Sequence, residues 1–357
     1  MAERLKMGYV GCGGFMAQKV HIPNLLSIPR IELAAVAEVR AELGEQVRRH
    51  YGIPKLYKNH LELARDQSLQ AAAVSGHFSG QGEIALDLLK AGKDVFMEKP
   101  MAVSVAQAER VVEAERQTGK RVLVAHMKRY DAGNVLFKEM LDGFKHSGEL
   151  GKITFVRNHG FGGDWCAGLD TPCLKSKEPL PAAQPLLPGW LPEKNVQGYL
   201  GYLQQYCHNI NLVRWFLDDH DSVKVKAVDL AEDGISGVVV LEIAGVRTTI
   251  ESGWVDYHGW DEHTQIYFNH GWMRTDAPPL LLKFVPATVQ LYRKSPNGFS
   301  TSEYFPKNMR SWAYKEELSF FADAVLDGKP FRTPAADCLI DCKVYEAIYK
   351  RHLESQK

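Results

Sequence analysis

A short apolar strand, Lys6 to Val10, runs straight into Gly11-Cys12-Gly13-Gly14-Phe15-Met16 and then into a helical segment ending near Leu26. No other stretch restricts the fold as strongly, because strand, glycine-rich turn and helix in that order are what a dinucleotide-binding βαβ unit needs. Gly11 allows the tight turn and Gly13 lets the backbone approach a pyrophosphate. The helix that follows turns its free N–H groups and positive dipole end toward the phosphates. Gly11, Gly13, Gly14, Phe15 and Met16 are therefore the candidate cofactor residues of this turn. Met16 stands where such turns carry a third glycine, so its side chain must push the helix off the sheet or tuck beside the cofactor.

The surrounding pattern extends the unit into a sheet. A second strand, Ile31 to Ala37, ends in Glu38, which lies 25 positions after Gly13. An acidic residue there accepts hydrogen bonds from the adenosine ribose hydroxyls. Its charge disfavours a 2'-phosphate, so NAD is favoured over NADP, with Arg40 positioned to offset part of that repulsion. Further strands at Ala71–Val74, Val95–Met97 and Val122–Ala125 alternate with helical stretches at Glu83–Ala91 and Val105–Thr118, the pattern of a parallel doubly wound sheet. Each strand ends in small or polar residues: Ser75-Gly76-His77, Glu98-Lys99-Pro100 and His126-Met127-Lys128-Arg129-Tyr130. Ligands bind at the carboxyl ends of such strands.

Composition narrows the partner. With 43 basic and 43 acidic residues the chain has no net charge and no broad field for nucleic acid or an anionic membrane. No apolar run reaches spanning length and the start, Met1 to Lys6, lacks a signal-peptide stretch, so a cytoplasmic protein is expected. The 357 residues favour two domains at roughly 100 to 200 residues each. Six cysteines without a CxxC pair imply reduced thiols, and the irregular spacing of Cys166, Cys173, Cys207 and His208 argues against zinc, so no metal is expected.

The glycine turn, Glu98-Lys99-Pro100, Lys128-Arg129-Tyr130-Asp131 and His208, in that order, resemble the glucose-fructose oxidoreductase, inositol dehydrogenase and MocA (Gfo/Idh/MocA) family of NAD(P)-dependent enzymes. The resemblance covers nearly the whole chain, including Lys329-Pro330 and the helix after it. It implies that Lys99 lies between nicotinamide and the substrate hydroxyl and that Glu98 forms part of the cofactor floor. It also implies substrate-side roles for Met127, Lys128, Asp164, Trp165, His258 and Trp260, and a homodimer or homotetramer. Where the family generally has an aspartate four residues before the histidine, this chain has Gln204, which cannot supply the charge that raises a histidine's pKa.

The fold class expected is thus α/β: an N-terminal Rossmann domain (1–128), then an α+β domain with a large, mostly antiparallel open sheet (129–310), then helices packing back on the first domain (311–357). Strands at 152–159, 223–230, 237–244, 246–252, 264–269 and 289–293 build the second sheet, with a tight hairpin at Ala244-Gly245. One face of that sheet takes the helix around His208, and the other is left for a second subunit. The proline-rich loop 171–195, with six prolines between 172 and 192, cannot be regular structure, and Trp165 and Trp190 at its flanks offer rings that suit a sugar. Gln204, His208 and Asn211 share one helix face and need polar partners, which a polyol could supply.

The chemistry expected is oxidation or reduction at a hydroxyl or carbonyl of a sugar, polyol or glycoside. Lys99 orients the hydroxyl and steadies the developing alkoxide, and His208 exchanges its proton. Two alternatives stand beside it: redox-neutral glycoside cleavage with a retained NAD, and a non-catalytic dinucleotide-binding regulator.

Overall fold

A computed structural model describes residues 3–356 apart from 170, 183–185, 257 and 258. The chain divides into two units: Met1–His126 with Asp170–Leu191 and Tyr314–Cys342, and Met127–Leu169 with Pro192–Ala313 and Lys343–Lys357.

The first unit carries strands β1 (Leu5–Val10), β2 (Ile31–Ala37), β3 (Lys55–Tyr57), β4 (Ala71–Val74), β5 (Asp94–Glu98) and β6 (Val122–Ala125), all parallel, in the order β3-β2-β1-β4-β5-β6. Helices α1 (Ile22–Ser27), α2 (Ala41–His50), α3 (His60–Ala64), α4 (Phe78–Lys90) and α5 (Val105–Thr118) connect them. Strands β4, β5 and β6 are buried throughout, as expected of a sheet covered on both faces. The strand order reverses between β1 and β4, which puts the crevice for a ligand at the carboxyl ends of those strands. Sequence reading did not find β3, α2 or α3. Strand β3 is three residues at the sheet edge, and α3 is a single turn started by Asn59, whose side chain accepts from the Glu62 amide.

The helix after the glycine turn opens with a π-helical turn, Ala17–His21. Pro23 has no N–H to send back to the Lys19 carbonyl, so an α-helical ladder is broken there, and the wider turn is the local solution.

Helix α5 shows a titratable weak point. Glu115 takes the Val122 amide at 2.5 Å, and burial pushes its carboxyl up to about 7 against the opposing pull of that bond. A carboxyl raised in the folded state favours folding in its protonated form, so this contribution is full below the unfolded value of about 4.3 and is lost as pH rises through 7. Glu115→Gln keeps an acceptor for Val122 and cannot ionise. It should melt with the parent at pH ~5 and be more stable than the parent at pH ~8.5 by at least about 1 kcal/mol. Thermal melts at the two pH values check this, and equal shifts at both would refute it.

The second unit carries α6 (Ala132–Ser147), β7 (Ile153–Gly162), α7 (Val196–Leu217), β8 (Lys224–Leu230), β9 (Gly237–Ile243), β10 (Val246–Trp254), β11 (Asp261–Phe268), β12 (Gly271–Ala277), β13 (Thr288–Ser295) and β14 (Gly298–Tyr304). The sheet order is β14-β13-β12-β11-β7-β10-β9-β8, antiparallel except for the parallel pair β7 and β10. The hairpin at Ala244-Gly245 is present, with both residues at positive φ (49° and 77°), as a tight two-residue turn requires. Strands β12 and β14 were not foreseen. Alternation sets the two faces. Val156, Ile250, Ile266, Met273 and Leu291 point into a core covered by α6 and α7. The opposite face presents Phe155, Arg157, His159, Phe161, Tyr267, Trp272 and Tyr292.

Two boundaries differ from the sequence expectation. The loop segment 170–191 groups with the first unit rather than with the second domain, because Leu174 is hydrogen-bonded to Gln18 and Glu178 to the amides of Glu42 and Leu43. The terminal helices are not one block: α8 (Ala313–Leu326) belongs mostly to the first unit, whereas α9 (Ala335–Ser355) begins there and ends in the second. Ala335, Cys338 and Cys342 pack in the first core, and farther along α9 the Tyr349 hydroxyl donates to the Gly234 carbonyl. Among the described residues no helix is long and apolar enough to cross a membrane.

Candidate functional site

The glycine turn is built around close backbone approach. Gly11 has φ 84°, and a Cβ there would sit 2.4 Å from the Ser75 carbonyl oxygen. The Gly11 and Cys12 amides both donate to the Ala37 carbonyl, tying the turn to the end of β2, and the Gly14 amide returns to Gly11. A Cβ on Gly13 would lie 2.6 Å from Arg40, Glu38 and Leu43 side-chain atoms. At Gly14 the nearest atom is 3.5 Å away, so that position is less demanding. Phe15 is exposed and Met16 half-buried at the lip of the turn. Glu38 is buried: its Oε2 accepts from the Gly13 amide at 2.7 Å, and its Oε1 accepts from Arg40 Nε at 2.8 Å. Burial pushes the Cys12 thiol up to about 12, with the nearby Glu38 charge adding to it, so this cysteine stays a neutral packing residue.

Across the crevice, Ser75 receives or gives a 2.5 Å hydrogen bond with Tyr9, Gly76 has open space around it, and His77 starts α4 with its ring stacked on Phe78. The Glu98-Lys99-Pro100 turn at the end of β5 is gripped from below. Gln81 Nε2 donates to the carbonyls of Glu98 (2.6 Å) and Pro100 (2.9 Å), and the Lys99 amide donates to Glu98 Oε2. His21 Nε2 lies 2.7 Å from Glu98 Oε1, with His21 enclosed and Glu98 largely buried. Deeper still, Glu317 has no exposed surface and no hydrogen-bond partner for either carboxyl oxygen. Burial, and then the Glu98 charge, push its carboxyl well above the usual range. Sequence reading missed Gln81, His21 and Glu317. They lie 17, 77 and 219 positions from Glu98, and no local pattern joins them.

In the second unit, α7 carries the polar stripe from the surface inward: Gln204 is exposed, while His208 and Asn211 are buried at 3% and 1%. Arg129 donates to the Asn211 carbonyl at 2.9 Å. Lys128 is also buried, with its ammonium 2.5 Å from both Glu262 oxygens. Asn209 joins that pair, 3.3 Å from Glu262 and 2.9 Å from Asn158, and Asn158 continues to Thr264. Lys128 is therefore the centre of a buried polar network whose other members had no sequence signal. Met127 is buried, Asp164 and Trp260 are half-buried, Trp165 is exposed, and the Asp164 amide donates to the Gly259 carbonyl. His258 lies outside the described residues. The metal-capable group found among the described residues is His126, Cys338 and Asp341, with ligand atoms within 4.8 Å, rather than the cysteines weighed from spacing.

This cradle defines the first unit as a nicotinamide-dinucleotide-binding Rossmann domain: the parallel sheet, the turn that requires glycine at residue 11 and the acidic residue after β2 fit a dinucleotide as a set. Residues 5–126 match the model of GFO_IDH_MocA, the oxidoreductase family with an NAD-binding Rossmann fold. It is 32% identical over 171 residues to an inositol 2-dehydrogenase of Salmonella paratyphi B, a match covering 47% of this chain and 49% of that protein. The chain thus spans about half the length of the Salmonella relatives it matches. Over a longer span it is 23% identical to a myo-inositol 2-dehydrogenase of Thermotoga maritima, covering 91% of this chain and 90% of that one. The crystal structure of a probable dehydrogenase from Thermotoga maritima superposes with a TM-score of 0.71 at 22% identity, covering 99% of this chain and 98% of the other, which shows the shared fold.

Proposed function

We propose that the protein is an NAD-dependent oxidoreductase acting on a hydroxyl or carbonyl of a sugar, polyol or glycoside. The observation that carries this reading is the Glu98-Lys99-Pro100 turn, clamped by Gln81 at the end of β5 in the same crevice rim as the glycine cradle. The inositol 2-dehydrogenases among its relatives support the substrate class. Gly11, Gly13, Gly14, Phe15, Met16, Ser75, Gly76 and His77 would hold the pyrophosphate and nicotinamide halves, with Glu38 and Arg40 at the adenosine ribose. When bound, NAD supplies the hydride acceptor.

The protein's own part is to orient the substrate and move a proton. Lys99, an ammonium, orients the hydroxyl and stabilises negative charge on its oxygen. His208 takes the hydroxyl proton in oxidation and returns it in reduction. Gln204 sits one helical turn before it without a charge, so nothing at that position favours the imidazolium. Met127, Asp164, Trp165, His258 and Trp260 are the candidate substrate-binding residues, together with Lys128, whose ammonium Glu262 holds. The open face of the second sheet supports a homodimer or homotetramer. On that face Arg157 and His159 pair with Glu251 and Arg274 with Asp276, and Phe299 is exposed where its ring stacks on Tyr292.

The test is NADH production in the presence of inositols, aldoses and glycosides. NAD-dependent oxidation of a polyol or sugar is expected. His208→Ala should remove the titration from the pH profile of turnover, and Gln204→Asp should shift its midpoint upward by a sizeable fraction of a unit. NAD released on denaturation, with glycoside cleaved but no net NADH, would replace this reading with redox-neutral cleavage. Failure to bind any dinucleotide would overturn both.

A further inference from the structure

The proline-rich segment supplies something that neither its composition nor its family suggested. Between Thr171 and Glu178 it is laid along the first unit and fastened at three points. Gln18, on the helical turn after the glycines, holds Leu174 from both sides: its Nε2 donates to the Leu174 carbonyl at 3.1 Å, and its Oε1 accepts from the Leu174 amide at 2.8 Å. The same Gln18 Nε2 reaches the Gly13 carbonyl at 3.0 Å, so one side chain ties the strap to the glycine turn. Lys19 donates to the Thr171 hydroxyl at 3.1 Å and to the Pro172 carbonyl at 2.6 Å. At the far end Glu178 reaches the start of α2, where its two carboxylate oxygens accept the amides of Glu42 and Leu43, each at 3.1 Å. The Ser176 hydroxyl donates to the same carboxylate at 3.0 Å.

The place Glu178 occupies matters. Helix α2 follows directly on Glu38 and Arg40, and Leu43 is among the side chains that close on Gly13. The unpaired amides and positive end of this ten-residue helix would otherwise attract an anion attached to the adenosine ribose. The strap satisfies those amides with a carboxylate of the protein. The cation beside them, Arg40, is held through Nε and Nη2 by Glu38. Partial burial acts to raise the Glu178 carboxyl, but the amides of Glu42 and Leu43 and the Ser176 hydroxyl outweigh it and hold it below the ordinary range, so it is ionised at neutral pH.

We propose that Glu178, carried on the 171–178 strap, determines cofactor specificity by taking the anion-binding start of α2 and so excluding the 2'-phosphate of NADP. The inference rests on the reading of the first unit as an NAD cradle. It adds to Glu38 a second carboxylate from a distant part of the chain. A 2'-phosphate meets two negative charges, no uncommitted amide on the first turn of α2 and an arginine already paired. The ribose hydroxyls of NAD meet no such conflict.

Calorimetric titration of the full-length protein with NAD, NADP, 5'-AMP and adenosine 2',5'-bisphosphate tests this. The unmodified protein should prefer NAD to NADP and AMP to the bisphosphate. Glu178→Ala should reduce both preferences by about 10-fold or more, chiefly through tighter binding of the 2'-phosphorylated ligand. Glu178→Gln retains an acceptor for α2 and the strap but not the charge, so it should fall between; it also serves if the alanine variant loses the strap altogether. Parallel changes in the affinities for NAD and NADP, leaving their ratio intact in both variants, would show that Glu178 only fastens the strap, and would overturn the proposal. A preference of the unmodified protein for NADP would overturn it as well. If the unmodified protein binds none of the four ligands, the cradle reading itself fails, and the inference with it.

Discussion

Lys99→Ala should lower turnover by about 100-fold or more, the scale of removing one donor aimed at charge that develops in the transition state. The affinity for NAD should change little. The lysine stands at the carboxyl end of β5, with its backbone N–H held on Glu98 Oε2 at 3.1 Å and the residues on either side pinned by Gln81. The backbone position is therefore set by groups other than the lysine side chain, and truncation removes the ammonium without moving the turn. Cofactor titration and steady-state rates on the substrate identified from the polyol and sugar panel separate the two quantities. Near-normal turnover would mean that the ammonium is a solvated surface charge and that the proton and charge work lies elsewhere in the crevice.

The second large effect is expected at Gly11. Alanine there places a methyl group 2.4 Å from the Ser75 carbonyl oxygen and forces a side chain into φ 84°, a region costing an L-residue about 1–2 kcal/mol before any clash. The obstructing atom is backbone at the end of β4, so relief requires separating the ends of two sheet strands. Gly11→Ala should lose about 2–4 kcal/mol of stability and reduce dinucleotide affinity by at least about 100-fold. Gly80→Ala is the control. That glycine lies in α4 with nothing within 4 Å of its missing Cβ, and the substitution should be neutral or stabilising by up to about 1 kcal/mol. Denaturant melts and titration with NAD measure both. Equal behaviour of the two variants would mean that the turn can open and that Gly11 is not a determinant of the cradle.

How far each feature could be read from the chain follows the range of the interaction behind it. The five long strands of the first sheet, the glycine turn and the Ala244-Gly245 hairpin were legible because their signals lie within a few residues: continuous apolar runs, a strand-to-helix glycine cluster, a two-residue turn. Strand β3 and the single-turn α3 were too short for a period to show, and β14, with Ser300, Thr301 and Ser302 at the sheet edge, has no apolar face to betray it. The stripe of Gln204, His208 and Asn211 was legible as a face, but its gradient from exposed to buried was not, since burial depends on what packs against each turn of α7.

By itself the sequence determined the order and type of most elements, the need for glycine at residue 11, the acidic residue at the end of β2 and the Glu98-Lys99-Pro100 turn. All of these follow from backbone sterics and short-range periodicity. Only the tertiary structure decided what surrounds them: His21 against Glu98, buried Glu317 with neither carboxyl oxygen hydrogen-bonded, Lys128 committed to Glu262, and Glu178 brought 135 positions from its partner amide at Leu43. Such pairings lie on segments far apart in the chain, each side chain is individually unremarkable, and the free energy that selects them comes from excluding water around polar groups that must then find one another.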